Sequence, residues 1–362
     1  MKTIKSIIVA VALCALSAGS AEARTVVIDA GDGEPVVSAS VFGSNGAMLA
    51  LTDGDGVFGE VDARHYPLTI KSLGYEPLTV AEPATEVSMQ ARAYELPEVV
   101  YNPKNHEVMH IICYAREYMS AYIGSDTTIV YAEHMADLFF PVNDKVKFKA
   151  ERKPRELLTR NVARYVSDGV DSVATDVEHD LFPMMMVASL HGKEFTEPEK
   201  MASQKYYRDS IPGKSGIAMY LKKSPAEVAI THDVLAEKAD HKWSPWVLKL
   251  LGMTMDFKEL RWQVAFVPNP ESTKHSIREI SVATFGMEAV GRGKMIKRCF
   301  STKEYVDMRS YMELYPVEIE YLSVEEAKEL KKHKPEIKEF TIAPQAMPID
   351  EGTQRLLKAV GR

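Results

Sequence analysis

The sequence predicts a two-domain protein, an all-β sandwich followed by an α+β domain with a mainly antiparallel sheet. Short apolar stretches broken by turn residues run from Thr25 to about Ala93, the spacing of a sandwich. After residue 103, alternating apolar and polar stretches mix with capped helical signals. The length beyond the leader, 362 residues less 23, is ample for two cores. The expected organisation is a leader over 1–23, a sandwich over 24–95, a linker over 96–103 and an α+β domain over 104–362.

The leader carries Lys2 and Lys5, an apolar run from Ile7 to Leu16, and Ala21-Glu22-Ala23. That is a charged start, a short apolar core and an A-x-A cleavage site in order, so export with cleavage near Arg24 is expected. The run is shorter than the roughly 20 residues a membrane span needs, and no second long apolar segment follows. Cys14 lies inside the run behind Leu13, which is not the small residue that lipid attachment wants. Loss of Lys2, Lys5 and Glu22 takes the basic count from 44 to 42 and the acidic count from 51 to 50, a net charge of −8. No strong basic stripe is present, which disfavours nucleic acid as a partner. Cys113 and Cys299 remain; one disulfide and two free thiols are both compatible with the sequence.

In the first domain, Thr25-Val26-Val27-Ile28 reads as a strand before the turn-rich Asp29 to Pro35. Val37, Ala39 and Val41 alternate with Ser38, Ser40 and Phe42; Met48 to Thr52 and Leu68 to Lys71 are further strands. Asp55-Gly56 between apolar stretches signals a hairpin turn, since glycine supplies positive φ there. Asp53-x-Asp55 also hints at a calcium loop, but Val57, Phe58 and Arg64 stand where an EF-hand places an oxygen ligand, glycine and glutamate.

The set Glu34-Pro35, Ala39-Ser40-Val41, Thr52-Asp53-Gly54-Asp55-Gly56-Val57-Phe58 and Ser72-Leu73-Gly74-Tyr75 resembles the carboxypeptidase-regulatory-like domain, over about residues 25–93. The resemblance implies a transthyretin-like seven-stranded sandwich, an interaction module with no peptidase residues. Leu96-Pro97-Glu98-Val99-Val100 is similar to the segment that follows this sandwich in TonB-dependent receptors. The 262 residues after Val100 are too few for a plug and a 22-stranded barrel.

In the second region, Asn102-Pro103 looks like a helix start, with Val108, Ile111, Ile112 and Ala115 at helical spacing. Strands are expected where Val146, Phe148 and Ala150 alternate with lysines, at Leu260 to Phe266, and at Val317 to Tyr321. Ser244-Pro245 opens a short helix ending at Gly252, and Ser323-Val324-Glu325-Glu326 is a capping box. Residues 192–225 lack periodicity and read as a long loop.

One motif carries potential chemistry. His106-Glu107-Val108-Met109-His110 is an H-E-x-x-H pattern, which on a helix places two histidines one turn apart on one zinc with a glutamate to activate water. Glu133, in Ala132-Glu133-His134-Met135-Ala136-Asp137, is the candidate third ligand, and the set resembles thermolysin-like zinc peptidases. Against it, Pro103 puts the histidines in the first helical turns, the sandwich leaves no room for an upper subdomain, and Thr127 to Phe140 also reads as a strand. His191-Gly192-Lys193-Glu194 is similar to the H-x-x-E motif of metallocarboxypeptidases but lacks a third histidine at the right distance. Gly213-Lys214-Ser215 lacks the first P-loop glycine, since Arg208 stands there. The expected function is therefore a non-catalytic envelope binding or assembly protein, without cofactor, whose partner is an envelope protein or glycan. A zinc-dependent peptidase using His106, Glu107, His110 and Glu133 is the alternative.

Overall fold

The computed structural model describes residues 24–92, 107–143, 145–149, 154–177, 194–197, 207–208, 218–223, 227–235, 244–250, 252–268, 271–276 and 279–361. The leader and the 96–103 linker lie outside them. Among the described residues the chain is mostly β. Strands β1 (Thr25–Asp29), β2 (Ser40–Phe42), β3 (Met48–Leu51), β4 (Val57–Phe58), β5 (Leu68–Lys71), β6 (Leu78–Val80) and β7 (Glu86–Met89) form two small sheets, ordered β4-β1-β7 and β3-β2-β5-β6. Val27, Phe58 and Met89 of the first meet Val41, Leu68, Ile70 and Val80 of the second in one buried cluster. The turn at Asp53 to Gly56 is as expected: Gly56 has φ 72°, and Asp53 Oδ1 accepts from the Asp55 and Val57 amides at 2.9 Å each. It is not a hairpin turn, because β4 leaves β3 and pairs antiparallel with β1 in the other sheet.

Ten further strands build one antiparallel sheet among the described residues. They are β8 (Val108–Ile123), β9 (Asp126–Pro141), β10 (Arg155–Ser167), β11 (Val170–Thr175), β13 (Tyr207–Arg208), β14 (Ala218–Lys223), β15 (Val228–Asp233), β16 (Met253–Phe266), β18 (Ile280–Gly293) and β19 (Val306–Leu322). Their order is β11-β10-β9-β8-β19-β18-β16-β15-β14-β13. A separate two-stranded pair joins β12 (Glu194–Thr196) to β17 (Lys274–Ser276). Pro316 has no amide hydrogen to give to the ladder, and it sits where the register of the central strand β19 slips.

Several expectations change here. The expected helix after Asn102-Pro103 is strand β8, so the spacing of Val108, Ile111, Ile112 and Ala115 is not helical. Both faces of β8 are covered, and a doubly buried strand carries apolar residues at any spacing. The Thr127–Phe140 stretch is strand β9. Val146 and Phe148 lie outside any strand, packed beside Val108 and Phe139. The supposed loop over 192–225 contains β12, β13 and β14. Among the described residues the α-helices are α1 (Trp246–Leu250), α2 (Lys294–Phe300), α3 (Val324–Lys332) and α4 (Glu351–Ala359). Gly252 has φ 69° just past α1, and Ser323 and Glu326 form the reciprocal capping box of α3. Among the described residues no helix is long and apolar enough to cross a membrane. Cys113 is buried on β8, Cys299 is exposed on α2, and they form no disulfide.

Side-chain alternation gives the large sheet two different faces. One is apolar: Ile111, Cys113, Leu138, Phe266, Phe285 and Leu314 belong to a cluster drawn from seven strands. The other is rich in tyrosine and charge, since pairs such as Tyr118–Tyr131, Tyr118–Tyr311, Arg116–Glu133 and Arg116–Glu313 put these residues together. The small sheets sit on this second face. Phe42, Met48 and Leu51 share one buried cluster with Tyr118, Tyr131, Val162, Tyr311, Met347 and Leu356. The two parts thus share a buried cluster. The outer edge of β3 is finished by the large sheet: the Met48 amide donates to Ser120 Oγ and the Leu51 amide to Glu288 Oε1, both at 2.8 Å. Helix α4 closes against the β2–β3 turn, where a Cβ on Gly352 would stand 2.1 Å from the Gly46 nitrogen. Only glycine permits that approach.

Candidate functional site: a charged cleft between the two parts

The seam between the small sheets and strands β14 and β15 opens into a cleft of about 580 Å³. One wall comes from β1 and its following turn, which brings Asp29, Asp32 and Glu34; the segment after β5 adds Ser72 and Tyr75. The other wall carries Tyr220, Lys222 and Lys223 of β14, Thr231 of β15 and Glu197. Strand alternation turns Tyr220 and Lys222 to the same face, paired across from Thr231 and Ala229.

Two of the cleft's carboxylates, Asp29 and Glu197, are paired with its two lysines. Asp29 accepts from the Gly31 amide at 2.7 Å, from the Tyr75 hydroxyl at 2.9 Å and from Lys222. Burial would raise the Asp29 pKa, but the Lys222 ammonium and these donors outweigh it and hold the carboxyl below its ordinary range. Lys222 Nζ also lies 3.9 Å from the Tyr75 ring centroid. The Tyr75 phenol is pushed well up, first by burial, then by the Asp29 hydrogen bond and the negative charges of Asp29, Asp32 and Glu227. Glu197 pairs with Lys223 and lies 2.9 Å from His275 Nε2. Two polar atoms lining the cleft are buried with no hydrogen-bond partner: Ser72 Oγ and Glu34 Oε2. A second groove of about 810 Å³ shares Asp29 and runs between β6 and β7, each an outer strand of its sheet.

None of these residues was singled out from the sequence. Asp29 to Gly33 read only as a turn, and Lys222 fell in the supposed loop. Glu34, Ser72 and Tyr75 lie in stretches that carry the family resemblance, the one available signal.

The residues of the H-E-x-x-H pattern take other places. His106 lies outside the described residues. Glu107 is exposed, and its Oε2 accepts from the Val324 amide at 3.0 Å, capping α3. His110 is buried on β8 with Nδ1 2.7 Å from Glu320 Oε1 and Nε2 3.1 Å from Asp137 Oδ2, its ring stacked on Phe139. Glu133 turns to Tyr114 and Arg160. The helix that would aim His106 and His110 at one metal is absent, and Glu133 pairs across from Arg116 while His110 pairs across from Phe139. Among the described residues no group of histidine, cysteine and carboxylate side chains is spaced to hold a metal. No protein-family model matches this chain, and no curated protein matches it in sequence.

The His110 cluster has a consequence for stability. Burial alone would lower the His110 pKa, but the bonds to Asp137 and Glu320 and their charges prevail and raise it. The folded protein therefore holds a proton that the unfolded chain releases near pH 6.5. This stabilisation is complete below that pH and is lost as pH rises through the higher folded value. Urea unfolding from pH 6 to pH 9 should show stability falling across that window, with His110→Gln flattening the slope. Parallel curves for the two proteins would refute the assignment. Asp137 has the opposite sign: its pKa is lowered, mainly by Arg155 and His110 acting against burial, so its contribution is lost at acid pH.

Proposed function

We propose that this chain is an exported cell-envelope binding or assembly protein without catalytic activity. Its N-terminal part is read as a transthyretin-like, carboxypeptidase-regulatory-like module fixed to a large antiparallel sheet. The observation that carries the reading is the cleft, where side chains from both parts converge and both lysines are paired with carboxylates. Such a constellation can orient a ligand, and among the described residues that line it no nucleophile has a base beside it. The two facing small sheets and the Asp53–Gly56 turn support the family assignment of residues 25–93. The leader's charge, apolar run and A-x-A site support export.

A thermal-shift screen of the mature protein against envelope peptides, polyamines and glycans tests the reading. A ligand should raise Tm in the wild type and lose that effect in Val37→Trp, which fills the cleft from the sandwich side. Undiminished binding to a folded Val37→Trp protein would place the ligand elsewhere. N-terminal sequencing that found Met1 retained would remove the export half of the proposal.

A further inference from the structure

The ligand chemistry of the cleft can be taken further, on the reading of it as a binding site. Four carboxylates, Asp29, Asp32, Glu34 and Glu197, line it against two ammonium groups, Lys222 and Lys223. Both lysines are engaged, Lys222 with Asp29 and Lys223 with Glu197. An incoming anion would find neither cation free and would meet the surplus of negative charge. Burial and hydrogen bonding leave two further groups open. Ser72 is 1 % exposed, and its hydroxyl has no partner in a position lining the cleft. Glu34 Oε2 is likewise buried and unpartnered. A buried hydroxyl and a buried carboxylate oxygen without partners are unusual in a folded protein, because each has been taken from water without compensation. Both can accept a hydrogen bond. Tyr220 supplies aromatic surface of the kind that favours cations, while the Tyr75 ring already faces Lys222.

We propose that this cleft binds an ammonium or guanidinium group, which donates to Glu34 and Ser72 and offsets the excess carboxylate charge. The group is carried by a free polyamine or by a basic peptide side chain. Lys222 ties the two walls together through Asp29, Lys223 is tied to Glu197 within one wall, and neither contacts the ligand charge.

Calorimetric titration of the full mature chain tests this with cadaverine, acetyl-Ala-Lys-Ala-amide and acetyl-Ala-Arg-Ala-amide, against acetyl-Ala-Glu-Ala-amide. The cationic probes should bind, more weakly as salt rises, and the glutamate peptide should not. Glu34→Gln and Ser72→Ala should each weaken cation binding about tenfold while leaving Tm near the wild-type value. Preference for cadaverine identifies a free amine as the ligand, preference for the peptides a basic side chain; either supports the proposal. Binding of the glutamate peptide alone, or cation affinity unchanged in both variants, overturns it. If cations fail while another ligand still depends on an unfilled cleft, the cation inference falls and the binding-site reading stands. If nothing binds in the cleft, both fall.

Discussion

Lys71→Ala is expected to cost about 3–5 kcal/mol of unfolding free energy, the range for removing one partner of a buried ion pair. Lys71 ends β5, and its Nζ lies 2.6 Å from Glu313 Oε1 on β19, with both side chains fully buried. It also donates to the Tyr118 hydroxyl at 3.1 Å and sits 4.6 Å from that ring's centroid. Glu313 in turn accepts from Tyr315 at 3.0 Å and lies 3.7 Å from Arg116. Without Lys71, the Glu313 carboxylate has lost its nearest counter-ion in a place water does not reach. Lys71→Met combined with Glu313→Gln should recover much of the loss, because removing both charges also removes the desolvation cost. Guanidinium unfolding of wild type, Lys71→Met, Glu313→Gln and the double variant gives the cycle. A single variant within about 0.5 kcal/mol of wild type, the range of ordinary surface changes, would mean that the small sheets do not rest on β19 as described.

Arg261→Ala is expected to have an effect of the same size, about 3–5 kcal/mol. Arg261 on β16 is fully buried. Its guanidinium lies 3.2 Å from Asp233 and 2.5 Å from Glu259, and it donates to the Thr52 carbonyl across the seam. Thr52 is itself buried, with its hydroxyl donating to the Val36 carbonyl at 2.7 Å. Removing the guanidinium leaves Asp233 buried without this counter-charge and the Thr52 carbonyl without its donor. Arg261→Lys should fall between the two, since it keeps the charge but not the planar fork that reaches three partners. If Arg261→Lys matches wild type in denaturant midpoint, the multidentate geometry carries no stability.

What the sequence revealed depended on whether a signal was local. The Asp53–Gly56 turn, the Ser323 capping box and the glycine stop at Gly252 are fixed by residues within a few positions of one another, and each is where it was expected. The β16 and β19 alternation around Leu260 to Phe266 and Val317 to Tyr321 was legible for the same reason. The helix expected after Pro103 failed because β8 is covered on both sides, and Met109, Ile111 and Cys113 fill one face while Tyr114 and Tyr118 fill the other. The burial of Lys71 and Arg261 left no local signal, since their partners Glu313 and Thr52 are far away along the chain. The cleft was invisible for that reason too: Asp29 and Lys222 acquire meaning only when the small sheets and β14 come together.

The docking of α4 on the β2–β3 turn also sets an order of events at the ribosome. Arg355 donates to the Ser44 carbonyl across 311 residues of chain. At about 5–20 residues per second of synthesis, roughly 15–60 s separate the emergence of the first β-strands from that of the helix that covers them. During that interval the Phe42, Met48 and Leu51 surface has neither the tyrosine face of the large sheet nor α4 against it. The nascent N-terminal module then keeps an apolar surface uncovered, and its cover is complete only with the last helix described.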